Sequence, residues 1–370
     1  MNRSGILNFL SSVLVIIAGL LIGLIILLIS DSDQALPAFM TILTFGACSM
    51  RNIGDVLLLA TPIILTGLSV AFAFKTGLFN IGASGQFTFG GFVAIFISVE
   101  FVFLPPPIRI ILSILAAAAA GALWGAIPGI LKAFRNVHEV ISSIMTNYIG
   151  MFFVNFMIIN FVFDQGRGTT TRLPNDSNLP TMGLENIFTD GVRASHINSG
   201  IIIAVLIVIL VYIILEKTIF GYELKACGFN KDAAKYAGIN ENKNIILSMM
   251  ISGALAGVGG ALNYMNGTGL SMSAIDSLAM EGFTGISVAF LGLNHPIGII
   301  FSGALISYLY LGGARMQLFG FSIEIVEIVI SIIIYFCAFV FLVKSFLLTT
   351  GGKLGKKEGQ SNPEEGGEIV

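Results

Sequence analysis

Gly221-Tyr-Glu-Leu-Lys-Ala-Cys-Gly-Phe-Asn-Lys-Asp-Ala-Ala-Lys-Tyr-Ala-Gly-Ile-Asn240 is a polar, lysine-bearing stretch held between two strongly apolar ones. Ile201–Leu215 runs into it and Asn244–Met265 runs out of it. The pattern predicts a short amphipathic helix around Asp232–Tyr236, entered after Gly228-Phe-Asn and left at Gly238. Small residues (Ala226, Gly228, Ala233, Ala234, Ala237) leave room for another protein's surface to come close. Lys225, Lys231 and Lys235 assign the stretch to the cytoplasmic side of a membrane. Two readings are open: a docking surface for another subunit, or an ordinary basic loop between membrane helices.

Composition extends that reading to the whole chain. Of 370 residues, 55% are hydrophobic and 11% charged, and the mean hydropathy is +0.92. Soluble domains carry roughly 25% charged residues, which excludes that class. A net charge of −2 offers no basic face for nucleic acid. Cys48, Cys227 and Cys337 are too far apart for a CxxC site, and His138, His196 and His295 are scattered. Neither a metal site nor an arranged nucleophile, base and oxyanion donor is expected.

Gly5–Ser30 carries no charge for 26 residues, more than the roughly 20 needed to cross hydrocarbon. Further apolar windows follow at Val56–Phe74, Thr76–Val99, Ile110–Leu131, Val140–Phe163, Ile197–Leu215, Asn244–Ile275, Gly282–Leu293, Pro296–Ala314 and Ile328–Val343. The fold class is all-α: a polytopic membrane helix bundle of about ten segments, the glycine-rich ones short, broken or re-entrant. With the amino terminus inside and ten crossings, 13 Lys and Arg residues fall inside and 6 outside, and every lysine is inside. The membrane body is residues 1–348, with a cytoplasmic elbow at 218–243 and an extracytoplasmic lobe or connector at 164–198. Residues 349–370 read as a disordered cytoplasmic tail. Segments two to five begin outside and seven to ten begin inside. Each set contains a glycine-interrupted piece, Gly77–Gly91 and Glu281–Gly298, the pattern of an inverted repeat with a mid-membrane site. Glycine's commonness in tightly packed membrane helices is the plainer explanation.

Several polar residues inside apolar windows need a reason. In Lys75-Thr-Gly-Leu-Phe-Asn-Ile-Gly-Ala-Ser-Gly-Gln86, Asn80, Ser84 and Gln86 either line a wet path or bond neighbouring helices. The stretch lacks the Gly-Lys-Ser/Thr ending of a phosphate loop. Asn136–Tyr148 brings His138 and Glu139 to a cytoplasmic mouth, where an ion pair beside Arg135 explains them more simply than a proton relay. Ser142, Thr146 and Asn155 share a helical face, and Asn147 lies about one hundred degrees away. Glu281 is the best intramembrane carboxylate and opens a segment with Phe283 and Thr284. Glu324 and Glu327 fit an interface.

Three stretches carry a family likeness. They are Ala60–Gly82 with Gly85-Gln86, then His138-Glu-Val-Ile-Ser with Asn147-Tyr148, and Gly221–Asn240. Over most of Arg51–Lys344 the chain resembles permease subunits of bacterial ATP-binding-cassette importers of the branched-chain amino acid and simple-sugar group. Within that group it is most similar to the nucleoside importer permeases. The resemblance implies a bacterial inner-membrane subunit with both termini cytoplasmic. It implies three partners: a second homologous permease chain, a cytosolic ATPase holding ATP and Mg, and an external solute-binding lipoprotein. No cofactor or metal is implied in this chain, and nucleic acid is not a partner. The ATPase-coupling residues implied are Glu223, Ala226, Gly228, Asn230, Ala233, Ala234, Tyr236, Gly238 and Ile239. The candidate substrate pathway is Asn80, Ser84, Gln86, Asn147, Glu281, Phe283 and Thr284. The chain departs from the family's usual pattern at one place: Ser84 stands where an acidic residue usually precedes Gly-Gln. A simple-sugar permease, and an ion-coupled carrier relying on Glu281 and His138, are the alternatives. The charge distribution predicts that an impermeant thiol reagent applied to intact cells labels a cysteine placed at Arg193 and spares one placed at Lys225. Labelling at Lys225 alone would reverse the orientation.

Overall fold

The computed structural model describes residues 3–337, 339, 340, 342, 343 and 345; the expected tail at 349–370 lies outside them. The helices in chain order are α1 Arg3–Ser30, α2 Ser32–Thr44, α3 Met50–Lys75, α4 Ala83–Glu100, α5 Pro106–Arg135, α6 Glu139–Met157, α7 Leu184–Ile187, α8 Gly200–Lys217, α9 Ile219–Phe229, α10 Lys231–Tyr236, α11 Glu241–Tyr264, α12 Met280–Leu291, α13 Pro296–Ala314 and α14 Ile323–Cys337. Eight are long and apolar enough to cross a membrane: α1, α3, α4, α5, α6, α8, α11 and α13. Among the described residues α12 is a further, shorter apolar helix, and the 15-residue α14 covers part of the tenth expected window.

Local chemistry sets the boundaries. Asp31 accepts from the amides of Asp33 and Gln34 and starts α2, which the apolar windows did not reveal. Ser49 caps α3, accepting from the Asn52 amide. Pro106 begins α5, where its missing N–H costs nothing. The window that ran to Ile275 yields a helix only to Tyr264, because Gly267 and Gly269 take φ of +79° and +75° and turn the chain. The window from Thr76 yields a helix only from Ala83. The second of these contains the glycine-interrupted piece Gly77–Gly91.

The most buried helices are α3, α11 and α4, with 83%, 72% and 67% of their span windows inside the bundle, against 22% for α1. They form the core, and α1, α5, α6 and α8 give it an apolar surface. Between helices in lipid there is little hydrophobic driving force, so close backbone contact does much of the work. The α5–α11 seam has that form. A Cβ at Gly253 would collide with the Gly121 carbonyl, and one at Gly257 with the Ala117 carbonyl.

Residues 164–198 form an ordered lobe at the bundle end opposite the lysines. It holds the two-residue strands Phe163–Asp164 and Thr169–Thr170 and the short α7. Asp176 pairs at 2.6 Å with Arg109, which is wholly buried. The Leu179 amide donates to Met265 O at 2.9 Å, and Ser177 Oγ to Ser98 O at 3.3 Å. The lobe is thereby tied to α4, α5 and the segment after α11.

Gly253→Leu is expected to destabilise the bundle by about 2 kcal/mol through forced separation of α5 and α11. Thermal unfolding of the purified protein in detergent would register this as a lowered midpoint; an unchanged midpoint would contradict the seam.

Candidate translocation junction and docking surface

The loop after Lys75 does not stay at the helix ends. It turns at Gly77, with φ of +71°, and re-enters the bundle before α4 begins. Asn80 is carried to mid-height, since Ser252, its partner, is the twelfth of the 24 residues of α11. Asn80 Nδ2 donates to Gln86 Oε1 and to Ser252 Oγ, each at 2.7 Å, while Gln86 Nε2 returns a bond to Asn80 Oδ1 at 3.2 Å. Ser252 Oγ reaches the Ser69 carbonyl at 2.7 Å. One turn nearer the lysine end, Thr76 Oγ1 donates to Ser248 Oγ at 2.8 Å. Asn147 spans two backbone groups freed by the break: its Oδ1 accepts from Gly85 N and its Nδ2 donates to Ile81 O, both at 2.9 Å. All these side chains are buried. Ser69, Thr76, Ser248 and Ser252 were not singled out from sequence; the four-residue spacing of Ser248 and Ser252 on one helical face was the available signal.

The second interrupted piece meets the first at this height. Ser84 Oγ donates to Ala279 O at 2.7 Å, and a Cβ at Gly282 would overlap the Ser84 backbone. α4 and α12 thus begin side by side at one crossing point. A larger side chain in place of Ser84 would have to displace α12. Thr284 is buried, donating to Met280 O at 3.0 Å and lying 3.4 Å from Tyr310 Oη. Glu281 and Phe283 are half-buried beside it.

At the lysine end, the elbow contains two helices where one was expected. Thr218 caps α9, accepting from Gly221 N at 3.1 Å, and Asn230 caps α10, accepting from Ala233 N at 3.0 Å. Gly228 lies within α9 rather than before it, and the Lys75 carbonyl leaves no room there for a Cβ. Gly238 then turns the chain at φ +85°. Between the two helices opens a groove of about 450 Å³, lined by Glu223, Ala226, Asn230, Ala233, Ala234 and Ile239 among others. Tyr222 and Phe229 line it as well, both exposed, and Tyr236 on α10 is 97% exposed. Glu223 is held from below by Asn244 Nδ2 at 3.1 Å, and Lys225 pairs with Glu216 at 3.1 Å. So all the elbow residues named from sequence lie in one exposed structure, braced against the ends of α3 and α11.

Glu139 pairs at 2.9 Å with Lys132, not Arg135, and the pair is mostly buried rather than solvated. His138 Nδ1 accepts weakly from Val140 N at 3.3 Å and caps α6. Among the described residues no three His, Cys, Asp or Glu side chains converge as metal ligands. Burial pushes the Cys227 thiol above its usual range, with Asn244 opposing. A thiolate-selective reagent at pH 8 is therefore expected to modify Cys227 more slowly than exposed Cys48. Peptide mass spectrometry reads the two rates, and faster reaction at Cys227 would contradict its packing against α11.

Residues 52–338 match the family described as branched-chain amino acid transport system / permease component. The guanosine ABC transporter permease protein NupP of Bacillus subtilis is 39% identical over 95% of this chain and 97% of its own. The nucleoside ABC transporter permease protein NupB of Lactococcus lactis is 38% identical over 90% and 91%. The glucose ABC transporter permease protein TsgB13 of Haloferax volcanii is 30% identical over 88% and 85%. No solved structure matches. The family profile spans most of the bundle and the relatives align nearly end to end, so this multi-pass membrane protein belongs to the permease-component family of branched-chain amino acid-type ABC transport systems.

Proposed function

We propose that this chain is the membrane-spanning permease subunit of an ATP-binding-cassette importer that carries nucleosides across a bacterial inner membrane. The observation that carries the substrate class is the near-complete coverage by two permeases named for guanosine and nucleosides, both more similar than the glucose permease. The site chemistry agrees: hydroxyl, amide and aromatic groups with little buried charge suit a neutral, sugar-bearing solute.

The chain hydrolyses nothing itself. Its elbow offers a concave, small-residue groove rimmed by exposed aromatic side chains, a fitting seat for a helix or loop of a separate cytosolic ATPase. ATP and Mg belong to that partner. Because α9 rests on the end of α3, motion of the elbow passes to the Thr76–Gly82 loop and to the α4–α12 crossing. Asn80, Ser84, Gln86 and Asn147 would hold the crossing, and Glu281, Phe283 and Thr284 would face the solute. The pathway completes against a second, homologous permease chain, for which the exposed apolar face of α6 (Ile141, Met145, Ile149, Phe152, Phe156) is available. The anchored 164–198 lobe is the docking surface for a solute-binding lipoprotein. Both termini lie in the cytoplasm, with the lysine-bearing end.

Uptake of labelled guanosine, glucose and leucine into proteoliposomes holding the complete importer, with ATP inside, tests this reading. Guanosine is expected to accumulate and the others not; accumulation of glucose alone would make this a sugar permease. Uptake driven by an ion gradient without ATP would make it a secondary carrier. Ala233→Glu is expected to lower substrate-stimulated ATP hydrolysis by the complex at least tenfold, since it fills the groove with a charge. Unaltered hydrolysis would remove the elbow from the coupling path.

A further inference from the structure

Two cavities at the lysine-bearing end share a wall. The first is a groove of about 470 Å³ between α1 and the α12–α13 hairpin, lined by Ser12, Val13, Ile16, Leu293, Phe301 and Leu305 among others. It is apolar apart from its serines, and Ser12 Oγ and Ser302 Oγ already donate to the Leu291 and Val288 carbonyls. α1 is the least enclosed of the eight spans, and Phe301 is 72% exposed. The groove therefore opens on the lipid-facing surface, where its filling is hydrocarbon.

The second cavity is a cup of about 330 Å³ where the end of α3, α9 and the α12–α13 turn meet. Lys75 and Lys225 line it together with Phe74, Phe229, Leu293 and Asn294. Leu293 thus belongs to both cavities. The cup does not satisfy itself. Among the described residues Lys75 forms no ion pair, and Lys225 spends one donor on Glu216 at 3.1 Å. Two partly exposed ammonium groups are set against one carboxylate, so positive charge is in excess. Asn294 is buried, yet its Oδ1 has no hydrogen-bond partner among the described residues.

A basic cup joined to an apolar groove matches an amphiphile with an anionic head. A choline or ethanolamine head would bring a further cation to the two lysines. A phosphodiester with a glycerol head brings oxygens for the ammonium groups and hydroxyl donors of the kind the Asn294 oxygen lacks. Basic pockets between membrane helices recognise such heads through the same chemistry.

We propose that the two cavities form one site for an anionic phospholipid of the phosphatidylglycerol class, its phosphate between Lys75 and Lys225 and an acyl chain along the groove between α1 and α13. The head bridges α3 and α9 beside the seat of Gly228 on the Lys75 carbonyl, and so braces the elbow against the bundle.

Native mass spectrometry of the purified full-length protein in detergent tests the site, with phosphatidylglycerol, phosphatidylcholine or guanosine 5′-monophosphate added. Phosphatidylglycerol is expected to bind roughly tenfold tighter than phosphatidylcholine. Lys75→Gln with Lys225→Gln is expected to abolish that preference, and Lys75→Arg with Lys225→Arg to keep it. Val13→Trp, which fills the groove and spares both lysines, is expected to weaken phosphatidylglycerol binding severalfold. Should the paired Gln variant melt without lipid far below the wild type, Lys225→Gln alone replaces it, with a partial loss of preference expected. Equal binding of the two lipids by the wild type overturns the site, as does a preference that survives the Gln substitutions. Unchanged binding in Val13→Trp overturns the acyl-chain seat. Displacement of phosphatidylglycerol by guanosine 5′-monophosphate would make the cup a site for a soluble phosphate and overturn the lipid assignment.

Discussion

A bilayer gives an interrupted helix nothing to bond with, and that constraint organises this protein. Wherever the chain stops being helical at mid-membrane, each freed amide, carbonyl and polar side chain has to find a partner within the protein. Here the break before α4 is closed by Asn147, which serves Gly85 N and Ile81 O at once. The Asn80–Gln86 pair, with Ser252, fills the space beneath it. The same polar groups in water would contribute little. In lipid their loss would leave several unsatisfied groups, at a cost of about 1–3 kcal/mol each.

Satisfying the break has a geometric consequence. The second interrupted segment is held to the first by the Ser84–Ala279 bond and the fit of Gly282 on the Ser84 backbone. The starts of α4 and α12 are thereby fixed against each other. Around them α5 and α11 pack without intervening side chains at Gly121 and Gly253. The result is a stiff scaffold with one junction at its centre. The elbow of α9 and α10 touches that scaffold through the end of α3, so a force applied at the lysine-bearing end has a short route to the middle.

Much of this was legible in the residues. The ten apolar segments and the unusual polarity of Asn80, Gln86 and Asn147 stand out against an otherwise apolar chain. What those amides bond was not legible, because Ser69 and Ser252 look like any serine in a membrane helix, able to bond its own backbone. α9 was hidden by Gly228, which reads as a helix breaker; only the three-dimensional neighbour, the Lys75 carbonyl, explains a glycine there. α2 was hidden by Pro37 and by its short length. Glu281 was visible as an intramembrane carboxylate, but the contact that the next turn of α12 makes, Thr284 with Tyr310, joins helices distant in sequence.

The central claim is that this bundle carries no motor and is worked by a separate ATPase seated between α9 and α10. Its most direct test is site-specific cross-linking from a photoreactive residue placed at Asn230 in the assembled complex. The account predicts a covalent product between this chain and the ATPase subunit whose yield changes when ATP binds. A complex that transports normally yet yields no such product from Asn230, while an equivalent probe in the 164–198 lobe captures the ATPase, would contradict it.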